Sequence, residues 1–382
     1  VRHDESRFVP RVIPLLDGVR GLAIALVMLF HFSILMHPDG TAERIWMGLA
    51  RMGWSGVDLF FVLSGHLITG ILLQTRGSPG YYRSFYARRA LRIFPLYYAV
   101  VFVSLVILPR IDHPEVRSIG SVAGDELWYW AYLSNWKLAQ AGRFRHAILD
   151  ISWSLSIEEQ FYLVWPLVVS LCRRRGLLVL CPLLMAGALG LRMTLLSRGA
   201  APLTAYVLTP CRIDALAAGA LLAAMLATEK GRLRARRLAL PVLVGAAMVL
   251  GVVILLQGGN QYGPLMQRGG YSALALLFAA GLAVLLTGSP ASPGARLLAG
   301  RWLRVLGRLS YGLYLVHLPL RSFLRALIGG AEGLPVLLGS RLPALVVFMA
   351  ACTVGSLGVA WLSFKVLEAP FLALKRFFPR PS

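Results

Sequence analysis

Residues 15–35, LLDGVRGLAIALVMLFHFSIL, form an apolar run long enough to cross a bilayer, and its only ionisable residues are Asp17, Arg20 and His31. Arg20 and His31 are eleven residues apart. Eleven steps of about 100° return to nearly the same helix face, and a rise of about 1.5 Å per residue separates the two by roughly 16 Å along the axis. A charge inside a span costs roughly 2.5–3.5 kcal/mol on insertion scales, so each such residue is a functional candidate. The run does not fit a cleaved signal peptide, because it contains Asp17 and Arg20 and no small-residue cleavage site follows it.

The rest of the chain repeats this pattern. Of 382 residues, 57% are hydrophobic and 15% charged, a balance that requires a bilayer as solvent. Continuous rather than alternating apolar runs select helices over a barrel, so the fold class is all-α and polytopic. Candidate spans begin near Ile13, Trp54, Ile93, Ser154, Leu177, Thr204, Leu238, Tyr271, Leu303 and Leu342, ten in all. The aromatic segment Asp125–Trp136, DELWYWAYLSNW, is too short to cross and predicts an interfacial or re-entrant helix. Lys and Arg concentrate on one side if both termini are cytoplasmic, as in Arg76–Arg92, the triplet Arg173–Arg175 and KGRLRARR at 230–237. The net charge of +22 is explained by this bias and by anionic headgroups, and nucleic acid is not an expected partner. Cys172, Cys181, Cys211 and Cys352 lack CxxC spacing and read as packing residues; no HExxH or spaced carboxylate cluster appears, so no metal is expected.

Further ionisable groups enter the spans. Asp58 in GWSGVDLFFVLSG, Glu158 and Glu159 in SWSLSIEEQFYLVWP, and Arg212 and Asp214 in TPCRIDALAAG are expected at about the depth of His31. An Asp58 or Glu158 contact would orient the His31 imidazole as a general base, the alternative being paired charges that only fix helix packing. FYARRALRIFPLYY places Arg88, Arg89 and Arg92 just before the expected third span. Arg89 and Arg92, at i and i+3, share a face and make a fork for phosphate oxygens, the alternative being positive-inside topology and anionic lipid contact. His317 in GRLSYGLYLVHLPL lies mid-span, either lining the same cavity or bonding across helices, and His66 lies in the second span.

These blocks, taken in order over nearly the whole chain, resemble the acyltransferase-3 membrane O-acyltransferases. LDGVRGLAIALVMLFHF is similar to the family's opening, an Arg and a His with ten residues between, and GVDLFFVLSG, FYARRALRIFPLYY, SWSLSIEEQFYLVWP, CRIDALAAG and LSYGLYLVHLPL are similar to its later blocks. His66 departs from the pattern, in which an aromatic or aliphatic residue follows LSG. The resemblance implies transfer of an acyl group, commonly acetyl, from cytosolic acyl-CoA to a hydroxyl of a carbohydrate or glycosylated acceptor, in a multi-pass protein of the bacterial inner membrane. It matches Arg20 and His31 to residues essential in the family and Arg89 with Arg92 to its RxxR pattern. It further implies a single transmembrane domain over residues 1–382, without the extracytoplasmic hydrolase-like domain of some relatives.

Taken with the physical reading, His31, Asp58 and Glu158 are expected to be catalytic, with His31 the base or a transient acyl carrier. Arg20, Arg88, Arg89 and Arg92 are expected to bind the donor acetyl-CoA, and Glu159, Arg212, Asp214 and His317 the acceptor. The competing class is a carrier or flippase for a lipid-linked sugar or organic acid. Such carriers often show two related halves, and none is visible here.

Overall fold

The computed structural model describes residues 14–33, 40–111, 124–146, 148–327, 334–337 and 339–379. Among these residues the backbone is almost wholly helical and no strand forms, as befits a chain whose peptide groups must be satisfied without water. Eight helical stretches are long and apolar enough to cross a membrane: Pro14–Ser33, Thr41–Thr75, Tyr81–Arg110, Ser152–Ser197, Pro202–Leu226, Glu229–Gln257, Met266–Thr287 and Leu342–Phe377. The expected first start, Ile13, lies outside the described residues.

Helix α1 (Pro14–Ser33) carries both Arg20 and His31. It is followed by α2 (Thr41–Arg51), α3 (Gly56–Thr75) and α4 (Tyr81–Phe102). Because α4 starts twelve residues before the expected Ile93, Arg88, Arg89 and Arg92 lie within the helix rather than ahead of it. The aromatic segment becomes two short helices, α5 (Glu126–Trp130) and α6 (Ser134–Ala141), neither long enough to cross.

Helix α7 (Ser152–Ser197) runs for 46 residues, about twice what a bilayer core needs, and breaks at Arg173, whose φ of 51° lies in the left-handed region. It is therefore two helices end to end, and the second half matches the expected span from Leu177. After α8 (Pro202–Val207) come α9 (Thr209–Leu226), α10 (Glu229–Gln257) and α11 (Tyr271–Thr287). The short α12 (Pro293–Leu298) and α13 (Arg301–Arg308) precede α14 (Ser310–Leu327), so the helix in the region of the span expected from Leu303 starts instead at Ser310, and it is not among the eight long apolar stretches. Helices α15 (Leu342–Ser363) and α16 (Ala369–Ala373) complete the order.

In lipid, helix association depends on close packing rather than on hydrophobic burial, so small residues mark the tightest contacts. A Cβ on Gly65 of α3 would sit 1.9 Å from the Leu216 carbonyl oxygen of α9, and one on Gly219 of α9 would sit 2.0 Å from that of Val62 in α3. The reciprocal contact makes α3 and α9 the centre of the bundle. Helix α1 is held in the same way against α13, where a Cβ on Gly307 would lie 1.7 Å from the Asp17 carbonyl oxygen. The outward faces are apolar: Leu171 of α7 and Leu255 of α10 are 72% and 86% exposed, a surface suited to acyl chains.

Candidate functional site

Four helices, α1, α3, α4 and α7, together with α14, enclose a cavity of about 90 Å³. Its wall includes Arg20, Ser64, Arg89, Arg92, Ser154, Glu158, Glu159, Tyr162, Tyr311 and Tyr314. The i, i+3 spacing puts Arg89 and Arg92 on one face of α4, and the early start of that helix lets the face reach Arg20. Arg88, one position away in sequence, points elsewhere: its Nη1 donates to the carbonyls of Lys375 and Phe378 at 3.2 and 2.9 Å.

The two glutamates do not sit at the depth of His31. Helix α7 begins at Ser152, so Glu158 lies about 9 Å along its axis, inside the arginine cavity. Its carboxylate accepts from Ser64 Oγ at 2.8 Å and from Tyr162 OH at 3.1 Å. The Arg89 guanidinium lies over the Tyr162 ring, 5.1 Å from its centre. Arg20 approaches Asp17 only at 3.9 Å. Among the described residues no carboxylate comes within 4.0 Å of the Arg89 or Arg92 guanidinium. The cavity thus gathers three arginines and two glutamates, of which Glu158 is bonded to hydroxyls and neither lies within 4.0 Å of the Arg89 or Arg92 guanidinium, an arrangement that leaves those guanidiniums open to an anionic or strongly dipolar guest.

At the α14 side of the cavity, Tyr314 OH lies 2.5 Å from Ser154 Oγ and donates to the Ile151 carbonyl at 3.2 Å. Three residues on, the His317 ring is 5.8 Å from the Tyr314 ring, and its centre is 5.0 Å from that of His31. His317 Nε2 and His31 Nδ1 are 3.1 Å apart. Neither histidine lines the cavity; Tyr314 lies between them and it. The expected Asp58 or Glu158 partner of His31 is therefore replaced by His317, which belongs with His31 rather than with Glu159, Arg212 and Asp214.

Asp58, Arg212 and Asp214 form a separate cluster. Arg212 Nη2 donates to Asp58 Oδ1 at 2.5 Å, and its guanidinium lies 4.0 Å from the Tyr271 ring centre. Asp214 is paired with Arg192 of α7 at 2.8 Å and accepts from Ser272 Oγ at 2.9 Å. Arg192 also donates to the carbonyls of Cys211 and Gln267. All four charged side chains are at most 1% exposed. Arg192 is absent from the expected site residues, although a single arginine in the apolar run of 177–197 is itself the signal. Tyr162, Tyr311 and Tyr314 leave no comparable mark, because tyrosine is common in spans. His66 is off the cavity wall, with a buried Nδ1 that has no partner among the described residues.

The family model of the acyltransferase-3 group, described as an acyltransferase domain, matches residues 13–364. The chain is 34% identical over 337 residues to YrhL of Bacillus subtilis, a candidate peptidoglycan O-acetyltransferase, across 81% of this chain and 48% of the relative. It is 32% identical over 333 residues to the peptidoglycan O-acetyltransferase OatA of Listeria monocytogenes, across 82% of this chain and 50% of the relative. It is 28% identical over 347 residues to the O-acetyltransferase OatA of Staphylococcus aureus, across 84% of this chain and 53% of the relative. The chain spans about half the length of these curated relatives. No solved structure matches it significantly. The family match runs from the start of α1 to the end of α15 and takes in every cavity helix and both histidines, so the chain belongs to the acyltransferase-3 family.

Proposed function

We propose that this protein is a membrane O-acyltransferase that moves an acyl group, acetyl in the simplest case, from acyl-CoA to a hydroxyl of a carbohydrate or glycosylated acceptor. The observation that carries the reading is the cavity in which Arg20, Arg89 and Arg92 meet, among the described residues, without carboxylate partners within 4.0 Å, apart from Asp17 beside Arg20. Phosphate oxygens of CoA are the guests that such a set recognises. The roughly 16 Å from Arg20 to His31 along α1 is of the order of an extended pantetheine arm. The names of the relatives, peptidoglycan O-acetyltransferases, support a carbohydrate acceptor.

In the mechanism, the arginines hold the donor and its thioester approaches His31 past Tyr314. The imidazole removes the proton of the acceptor hydroxyl as that oxygen attacks the thioester carbonyl carbon. The C–O bond forms, the C–S bond breaks, and the proton passes to the departing CoA thiolate. In the alternative order His31 first takes the acyl group and then yields it to the hydroxyl. Both place His31 at the reacting carbon. Asp58, Arg212 and Asp214 contribute by fixing α3, α9 and α7 around the cavity rather than by touching substrate, and Glu159 on the cavity wall is free to meet the guest.

The topology follows the same reading. The break at Arg173 turns the eight long stretches into nine, and α14, which carries Arg321 and Arg325 in its last turns, makes the tenth crossing. An even number of crossings puts both ends on one side, and the arginine bias favours the cytoplasm for that side, with the arginine-rich start of α4 facing cytosolic donor, in one domain of the bacterial inner membrane.

The test is incubation of the protein in proteoliposomes with labelled acetyl-CoA, with and without a carbohydrate acceptor. Acceptor-dependent CoA release is expected, and His31→Ala should abolish it. A carrier for lipid-linked sugars or organic acids would release no CoA. A folded His31→Ala protein with full transferase activity would overturn the assignment of His31.

A further inference from the structure

We propose that His317 is a positioning residue that fixes which nitrogen of His31 reacts: it holds His31 as the Nδ1–H tautomer and leaves Nε2 bare. The inference rests on His31 being the reacting group. His317 is fully buried, and its Nδ1 lies 3.0 Å from the carbonyl oxygen of Leu313, one turn earlier on α14. A carbonyl only accepts, so Nδ1 carries the proton. No carboxylate among the described residues bonds either ring, and the Arg321 guanidinium adds positive charge beside them, so the pair is neutral. A neutral imidazole has one ring proton, and His317 Nε2 therefore presents a lone pair. That lone pair is 3.1 Å from His31 Nδ1, which must donate to it. The one remaining ring nitrogen of His31, Nε2, is left as the base.

The direction of this relay has two consequences. Imidazole in water favours a proton on Nε2, so the protein holds His31 in its less favoured form, the form in which the free lone pair is Nε2. When Nε2 takes the hydroxyl proton, Nδ1–H becomes a charge-assisted donor to His317 and the bond strengthens. His317 then does for the imidazolium part of what a carboxylate does in a catalytic triad, without introducing a charge into the bilayer. Helix α14 also grips the backbone at this point: Arg321 Nη1 donates to the His31 carbonyl at 2.7 Å. Helix α14 thus touches both the ring and the main chain of His31, and the Val27 backbone of α1 also bonds the ring.

Solid-state nitrogen NMR on the full chain in bilayers, labelled with ¹⁵N-histidine, reads the tautomer without altering the site; the His31 signals are identified by their loss in His31→Gln. The expected result is a protonated Nδ1 and a bare Nε2 on His31, with His317→Phe restoring a population protonated at Nε2. In acyl transfer, His317→Phe should lower kcat about 10²-fold with KM for acetyl-CoA unchanged, by analogy with other residues that set a tautomer. His317→Gln, whose side-chain oxygen still accepts from Nδ1–H, should recover about tenfold of that loss. A wild-type His31 protonated at Nε2, a His317→Phe enzyme of full kcat, or a Gln variant no better than Phe would each overturn the proposal. An inactive His31→Ala beside a fully active His317→Phe would overturn it while leaving the acyltransferase reading intact.

Discussion

Two sets of buried charge sit in this bundle and are built in opposite ways. Around α9, Arg212 meets Asp58 at 2.5 Å and Arg192 meets Asp214 at 2.8 Å, so each cation has its anion and the guanidinium of Arg212 is capped by the Tyr271 ring. In the cavity, Arg20, Arg89 and Arg92 face one another across open space, while Glu158 is bonded to Ser64 and Tyr162. Desolvated ions are tolerated in a membrane interior only when paired or when facing a polar cavity. The first set pairs its charges internally, with Asp58 Oδ2 and Arg212 Nε and Nη1 left without hydrogen-bond partners among the described residues, an arrangement suited to packing. The second faces the cavity, where the proposed function puts the donor's phosphates.

Substitutions at three arginines test that contrast. The largest effect should come from breaking the closed set: Arg192→Met leaves Asp214 without its cation and should cost about 3–5 kcal/mol of stability, whereas Arg192→Met with Asp214→Leu should recover most of it. Unfolding in detergent measures both, and a single variant as stable as wild type would erase the distinction. Next, Arg92→Gln in the open set should raise KM for acetyl-CoA by about 10–100-fold, the worth of one hydrogen bond to a charged group, and leave the unfolding midpoint in place. A stability loss with unchanged KM would move Arg92 into the packing class. The smallest effect belongs to Arg88→Gln: its bonds run to the carbonyls of Lys375 and Phe378, so KM should not change and stability should fall by only about 0.5–1.5 kcal/mol.

Much of the site is legible in the sequence. The eleven-residue spacing of Arg20 and His31, the shared face of Arg89 and Arg92, and the inability of residues 125–136 to cross all follow from helix periodicity and length. The surroundings of Glu158 are not legible: the expected start at Ser154 is within two residues of the observed Ser152, but what the carboxylate faces depends on how α7 packs on α3 and α4, which bring Ser64 and Arg89 to the same cavity. The partner of His31 is hidden for a different reason. Asp58 is near in sequence and has complementary charge, but Arg212, 154 positions away, holds it, and His317, 286 positions from His31, takes its place.

The sequence alone determined the all-helical membrane architecture, the family, and the residues with chemical potential, because each rests on local quantities: hydropathy over one span, angle per residue, and motif spacing. Tertiary structure alone decided which of those residues meet. That choice was made where glycines let backbones touch, α3 on α9 through Gly65 and Gly219 and α1 on α13 through Gly307. Apolar surface drives no helix toward any particular neighbour in lipid, so the pairing is set by backbone shape and a few polar bonds between residues far apart in the chain.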